Sequence, residues 1–404
     1  MSKLFNAGPD ARTKPRSDLQ VTYSHSDKPI TIDIESSVKV LFENAIVKQV
    51  QSICDFYNIE TGELNIRDFG AVPFVIAARV EAVLKKAHSH ISDEFLLPLK
   101  EHALYSSQKD RFRRSRLYIP GNQPKLMLNA GIHHPDGIIL DLEDAVAPAE
   151  KSDTRFVVRN ALRALDFFGA ERMVRINQGN AGLTDLEFIV SHNVHLLLLP
   201  KIESAEEVIV VDRRITDISK TCGRNEPVFL MPIIESGRGV LKALEIAEAS
   251  PNVTALAIGL EDYTADLGVQ RTAEGQESFF ARSMLVNAAR AAGIQAIDTV
   301  FSDVEDEAGL RQSVQEAKAL GFNGKGCIHP RQIKPVHDEF APSIKEIEKA
   351  KQIVLAFDEA QKHGLGVVSL GTKMIDPPVV KRAQRIIDLA LANRLLPKNW
   401  KMKK

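Results

Sequence analysis

Cysteine is scarce in this chain: Cys54, Cys222 and Cys327 are the three in 404 residues. They lie far apart, at no spacing that suits a metal or a disulfide framework, which fits a reducing cytoplasm. Cys327 lies inside an apolar run and reads as a buried thiol. No apolar run reaches the roughly 18 residues of a membrane-spanning helix, and the amino terminus MSKLFNAGPDARTK lacks an apolar secretory core. Charge of one sign is not in excess, with 52 basic against 53 acidic side chains and a formal charge of -1. Neither a membrane nor a nucleic acid, which wants a basic face, is therefore expected as a partner. A GxGxxG motif or P-loop is missing as well; after the first strand-like run of the chain's main repeat stands PGNQPK. That absence argues against an open doubly wound sheet.

What is present is an alternation. The runs SRLYIPGN, GIILDLED, RMVRIN, HLLLLPK, FLMPIIES, ALAIGLED, QAIDTVF and GKGCIHP each end in polar residues, and a stretch of helical apolar spacing separates each from the next. The runs are almost continuously apolar, as strands buried on both faces are. The pattern predicts an α/β fold, a (β/α)8 TIM barrel over residues 114–362. In such a barrel the carboxyl ends of all strands share one rim. Glu143, Asp144, Arg175, Lys201, Glu235, Asp262, Asp298 and His329 are thereby delivered to one mouth, which points to an enzyme. Residues 1–92 read as a small α/β domain. Its first 20 or so residues are polar and expected to be mobile; VTYSHS and ITIDIES alternate as strands do. Ser36 and Ser37 open a helix with Val38, Leu41, Phe42, Ile46, Val47 and Val50 on one stripe. GELNIRDFG reads as a strand and turn, and VPFVIAARVEAVLKKAH as a second amphipathic helix. Residues 93–113 are the expected linker, and 363–404 a Gly- and Pro-broken loop followed by a helix.

Within the mouth, Glu235 and Asp262 end adjacent strands with no Cys or His beside them. Two carboxylates without soft neighbours suit Mg2+, with Mn2+ as the alternative, and not Zn2+; as an isolated pair they could equally cap helices or bind arginine. Arg175 in VRIN can grip a substrate carboxylate with two parallel hydrogen bonds, or pair with Asp141, Glu143 or Asp144, and the two roles are compatible. In DLED one acid is expected to orient Arg175 and another to stand behind the metal ligands. Lys201 has the position of a Schiff-base lysine, but a metal already supplies an electron sink, which leaves it an electrostatic role. His329, before Pro330, reads as structural.

RSRLYIPGN, LDLEDAV with Lys151 and Arg155 after it, VRIN, LPKIES, PIIESGRGV, GLEDYTADLG, AIDTVFSD, GFNGKGCIHPRQI and GTKMIDPPVV occur in this order. Together, over residues 112–390, they resemble the citrate lyase β-subunit group of the HpcH/HpaI aldolase superfamily, which also holds malyl-CoA and citramalyl-CoA lyases. Ser236 departs from the group's usual Thr. The resemblance implies a barrel assembled as a homotrimer or hexamer, Mg2+ on Glu235 and Asp262, and a substrate carboxylate on Arg175. It implies Tyr118 and Lys125 on the CoA-like arm of the substrate. It also implies that Asp376, in a C-terminal segment covering a neighbouring subunit's site, is the proton donor. TIDIESSVKVLFENAIVKQV and IRDFGAVPFVIAARVEAVLKKA, within about residues 15–88, resemble the acyl carrier γ subunit of citrate lyase. In that family a serine in a segment like G-T-x-E-S-S-D carries a phosphopantetheine-type arm. Here the segment is ARTKPRSD, so Arg16 replaces the usual serine and Ser17 is the hydroxyl left for arm attachment. A citrate-lyase-like complex is an implied partner.

The expected activity is a Mg2+-dependent carbon–carbon lyase acting on a 3-hydroxy-acyl thioester of CoA or of a carrier arm. Citryl, citramalyl and malyl thioesters all qualify. Two rivals stand beside it: a metal-dependent aldolase acting on a free hydroxy-oxo acid, and a catalytically idle scaffold subunit.

Overall fold

The computed structural model describes residues 3–13, 15–362, 368–370 and 373–402. Alternation in the first 92 residues becomes a four-stranded sheet of β1 (Leu4–Ala7), β2 (Leu19–Pro29), β3 (Thr31–Ser36) and β4 (Thr61–Asp68), in the order β1-β2-β4-β3. Burial along β4 alternates strictly, the period-two signature of one covered face. The expected mobile start is corrected: residues 4–7 pair antiparallel with β2. Helix α1 (Lys39–Phe56) buries Ile46, Val50, Ile53 and Cys54, while Leu41 and Phe42 of the expected stripe are exposed. An apolar stripe is covered only as far as a partner element runs beside it. Helix α2 (Pro73–Ala87) starts on a proline, whose missing N–H costs nothing in a first turn, and is buried along most of its length.

Residues 93–113 carry little regular structure, but they are tied down. Tyr105 Oη donates to Ala170 O at 2.5 Å, and Arg113 pairs with Glu171 at 2.6 Å with both side chains fully buried. The eight apolar runs then form β5 (Ser115–Pro120), β6 (Gly137–Asp141), β7 (Glu171–Arg175), β8 (Leu196–Leu199), β9 (Phe229–Ile234), β10 (Ala255–Ile258), β11 (Gln295–Asp298) and β12 (Gly324–Cys327). They pair in parallel and in sequence, and β12 closes the barrel on β5. Its interior is packed by Ile139, Met173, Leu198, Met231, Ile233 and Ile297, with Tyr118 against them.

Around the barrel run α3 (Pro124–Met127), α4 (Lys151–Ala164), α5 (Gly179–Ile189), α6 (Ala205–Cys222), α7 (Gly237–Leu241), α8 (Ala243–Ala247), α9 (Leu260–Leu267), α10 (Gln276–Ala291) and α11 (Glu307–Leu320). The sequence explains the start of α6: Ser204 and Glu207 make a reciprocal capping box. Helix α2 of the first domain packs on α4. Arg159 pairs there with Glu81, both fully buried, and Lys86 pairs with Asp153 at 2.6 Å.

Residues 1–333 make one compact unit and 334–404 a second. The second holds nearly all of α12 (Ile333–Phe340), then α13 (Ile344–Lys362), the antiparallel pair β13 (Val368–Leu370) and β14 (Lys373–Ile375), and α14 (Pro377–Ala392). Its core sets Ile347, Ile353 and Phe357 against Ile387, Leu396 and Trp400. Residues 344–362, read from sequence as the end of the barrel, thus share a core with α14. Residues 363–367, 371 and 372 of the expected loop lie outside the described residues.

Candidate active site

The ends of β6 to β9 and the first turn of α9 meet around one set of charges. Glu235 follows β9 directly and is 7% exposed. Lys201, two residues past β8, has φ 53°, a strained value for a side chain with a Cβ. That turn aims its N–H at Glu235 Oε2, 2.8 Å away. On the other side stands Gly259, where an added Cβ would lie 2.3 Å from Glu235 Oε1. Asp262 is not at a strand end, as expected, but in the first turn of α9. Lys201 Nζ sits 3.3 Å from Asp262 and 3.8 Å from both Glu143 and Asp144.

Arg175 ends β7. Its Nε and Nη2 donate to the two oxygens of Asp141 at 2.7 and 2.6 Å, Nη1 reaches Glu143 at 3.1 Å, and the guanidinium lies over the Tyr118 ring at 5.4 Å. Burial alone would lower its pKa; the Asp141 hydrogen bonds and charge overcome that and raise it. Gln178 donates to Glu143 Oε1 at 2.9 Å. The pairing of Arg175 with the DLED acids is therefore formed.

Asp141, Glu143, Asp144, Glu235 and Asp262 stand against two cations, Arg175 and Lys201. Burial pushes Glu235 up to about 7, and the Asp262 and Glu143 charges add to it against the Lys201 N–H and Arg175. An uncompensated cluster of oxygen donors, without thiol or imidazole, fits a hard divalent cation. Among the described residues no three His, Cys, Asp or Glu side chains are grouped as a ready ligand set. Two carboxylates that leave positions for water and substrate are what Mg2+ usually takes.

Beside these charges is a cavity of about 390 Å3, walled by Tyr118, Asp144, Arg175, Glu235 and Asp262 and also by Arg116. Burial pushes the Tyr118 phenol up. Sequence reasoning missed Arg116, although a signal existed: along β5 a period of two puts residues 116, 118 and 120 on the same face. It also missed Gln178 and Gly259. Asp298 lines the same cavity, but its carboxylate is held by Arg282 at 3.1 and 3.0 Å and by buried Lys325 at 2.8 Å. His329 caps a short turn, its Nδ1 accepting from the Arg331 N–H at 3.2 Å.

Lys125 and Ser17 lie elsewhere in the first unit, and Asp376 belongs to the second. Lys125 lines a second cavity of about 390 Å3, with Asn122, Arg16 and Asp18, between the first domain and the loop after β5. Ser17 is half-buried at φ 57°, its N–H donating to Phe69 O at 3.0 Å. Its neighbour Asp18 is bound by Arg79 at 3.1 and 2.8 Å. Asp376, in the second unit, caps α14 by accepting the Val379 N–H at 3.1 Å.

A profile of the HpcH/HpaI aldolase/citrate lyase family matches residues 114–330, and one for the malonate decarboxylase delta subunit (MdcD) matches residues 13–87. The chain is 42% identical over 292 residues to the citrate lyase subunit beta of Leuconostoc mesenteroides subsp. cremoris, covering 71% of this chain and 96% of that protein. It is 34% identical over 337 residues to the mitochondrial citramalyl-CoA lyase of Mus musculus, covering 80% and 96%. Among solved structures it resembles the protein CitE of Mycobacterium tuberculosis in complex with magnesium, acetoacetate and coenzyme A. That match has 30% identity and a TM-score of 0.57, and covers 70% of this chain and 99% of that one. The closed parallel barrel, the charged residues at its mouth and the length of these matches agree: the chain belongs to the HpcH/HpaI aldolase/citrate lyase family.

Proposed function

We propose that the chain is a Mg2+-dependent carbon–carbon lyase that cleaves a 3-hydroxy-acyl thioester of the citryl, citramalyl or malyl type into an oxo acid and an acetyl-type thioester. The observation that carries this reading is the surplus of carboxylates around buried Glu235, opening onto a cavity walled by arginine. Relatives that are a citrate lyase subunit and a citramalyl-CoA lyase support it. Glu235 and Asp262 are the residues that would hold Mg2+; when bound, the ion supplies positive charge to the substrate's hydroxyl and neighbouring carboxylate oxygens.

Asp141 fixes the Arg175 plane with two bonds, which leaves guanidinium N–H groups for a substrate carboxylate. Lys201, held among Glu143, Asp144 and Asp262, adds a fixed positive charge near the oxygen on which charge develops. The hydroxyl gives its proton to water, the oxygen's electron pair forms the new carbonyl of the oxo acid, and the carbon–carbon bond breaks with its electrons passing into the thioester enolate. Asp376 of a neighbouring subunit, in a homotrimer or hexamer, returns a proton to that enolate.

The thioester arm passes Tyr118, and its far end lies toward Lys125. It is free CoA or a phosphopantetheine-type arm, and a citrate-lyase-like complex is the context in which the latter would serve. The enzyme works in the cytoplasm, a reading that its three scattered free thiols, Cys54, Cys222 and Cys327, support.

Purified protein, stripped of metal with EDTA and then given Mg2+, should release an oxo acid from one of malyl-, citramalyl- or citryl-CoA only after Mg2+ is restored. Full turnover without metal would overturn the metal assignment. Silence toward all three thioesters, with Mg2+ present, would overturn the lyase.

A further inference from the structure

One guanidinium of this cavity has carboxylate partners and the other has none. Arg175 spends Nε, Nη1 and Nη2 on Asp141 and Glu143. Arg116, 1% exposed, has a contact to Met231 Sδ at 3.1 Å, a contact to Asp298 O at the limiting 3.5 Å, and no partner for Nε. A thioether is a weak acceptor, and a guanidinium does not give up its charge in a protein. A buried charge without a counter-charge is costly, so such groups are normally paired. The carboxylate whose backbone Arg116 touches, Asp298, is already shared by Arg282 and Lys325. The floor of this cavity therefore carries more cations than carboxylates, whereas the rim carries the reverse.

At the level of Arg116 both strand neighbours are glycines, Gly137 on β6 and Gly326 on β12. A Cβ at Gly137 would meet Met173 at 2.4 Å, and one at Gly326 would meet Val300 at 2.6 Å, so the two glycines make room for those neighbours. Arg116 lines the same cavity as Arg175, Tyr118 and Glu235. It precedes Tyr118 by two residues on the same strand face, so its Cα lies roughly 7 Å deeper at about 3.3 Å per residue. Tyr118 lies in the field of both arginines. The cavity thus has one guanidinium paired with carboxylates at its rim and one without a carboxylate partner at its floor.

We propose that Arg116 binds a second carboxylate of the substrate, so that the acid released by this site is an oxo-diacid. The inference rests on the lyase reading and narrows it. Of the three thioesters above, the citryl type yields an oxo-diacid, whereas the citramalyl and malyl types yield oxo-monoacids. A guanidinium facing a carboxylate forms two parallel charged hydrogen bonds. An oxo-monoacid leaves that guanidinium unanswered.

Calorimetric titration of the Mg2+-loaded full chain with oxaloacetate, an oxo-diacid, and with pyruvate, an oxo-monoacid, is the test. Wild-type protein should bind oxaloacetate tighter by about tenfold or more, the size of one charged hydrogen-bonded contact. In Arg116→Met this preference should vanish, with pyruvate affinity little changed. Equal wild-type affinity for the two acids, or a preference that survives in Arg116→Met, would overturn the proposal. Methionine replaces an unpaired buried charge, so the ligand-free variant should melt at or above the wild-type temperature; a marked fall would assign Arg116 to barrel stability instead. The wild-type comparison requires no variant to fold. Failure of the lyase reading would look different: no oxo acid released from any thioester, with the diacid preference and its dependence on Arg116 still in place.

Discussion

Glu235 is held from two sides, by a backbone N–H from Lys201 and by the bare Cα of Gly259. The second contact gives a sharp prediction. Gly259 has φ -110° and ψ 104°, which alanine adopts freely, so Gly259→Ala should not strain the backbone. Its methyl would instead meet the Glu235 carboxylate and turn it away from its present direction. Displacing a ligand through its support usually weakens metal affinity by about 10- to 100-fold. Titration of Mg2+ into metal-free protein, with a melting curve as control, would show this; wild-type affinity in the variant would remove Glu235 from the metal site. The contrast with Glu235 shows what a sequence conveys at this scale. Glu235, Asp262 and Arg175 are legible because their chemistry is in the side chain and their place is at or just past a strand end, Asp262 falling in the helical turn that follows β10. Gly259 is not, because its contribution is the absence of a side chain beside a residue 24 positions earlier. Arg116 was legible only as one charge in an apolar strand, a signal that period-two reading turns inward.

Two elements carry titratable groups whose second roles can be separated. His195, just before β8, accepts the Arg172 N–H of β7 on Nδ1 at 3.1 Å and donates from Nε2 to Tyr105 O of the 93–113 segment at 2.8 Å. It therefore staples that segment to the barrel in one neutral tautomer. Burial, with the Arg172 cation adding to it, holds its pKa down at about 3 against the ordinary 6.5. Unfolded, the ring takes up its proton below 6.5; folded, only near 3. Its share of stability is thus whole above pH 6.5 and lost as pH falls toward 3, by up to about 1.4 kcal/mol per pH unit. Urea unfolding at neutral pH and about two units lower should show a smaller pH dependence in His195→Gln than in wild type. An identical dependence would mean that His195 is charged in the folded state.

Asp376 invites the same separation of roles. As the cap of α14 it should cost about 1 kcal/mol when replaced by alanine, whereas asparagine caps as well as aspartate. Asp376→Asn should therefore melt like wild type. If Asp376 is the proton donor, the same variant should lose turnover by about 100-fold or more. An Asp376→Asn enzyme with full turnover would leave the residue its cap alone. At the level of elements the sequence was most explicit for the barrel strands, since eight apolar runs of the right length leave few alternatives. It was least explicit for α1, because an apolar stripe such as Leu41 and Phe42 looks the same whether or not a partner covers it.

For the whole molecule, the first domain and the barrel behave as one body. The buried Arg159–Glu81 pair and the Lys86–Asp153 pair fasten α2 to α4, and Ser17 sits on a backbone pinned at Phe69 and Asp18. A carrier that swings between partners needs a looser mount. The boundary at residue 334 was not legible, because the stripe of α13 serves a barrel or a neighbouring helix equally well, and only the shared core with α14 decides between them. The order of motifs across both units nonetheless makes a quaternary prediction. The family resemblance assigns Asp376 to a neighbouring subunit's site, while Arg175 serves its own. Arg175→Ala and Asp376→Ala proteins should then each be nearly inactive. A 1:1 mixture that has exchanged subunits should regain activity, since in a closed ring about a quarter of the sites would take both intact side chains. Native mass spectrometry can verify the exchange before turnover is measured. Recovery would establish that each site is completed by a second chain. Mixed rings without activity would put Asp376 in its own subunit's site or outside the reaction, and the lyase would then need another acid to protonate its enolate.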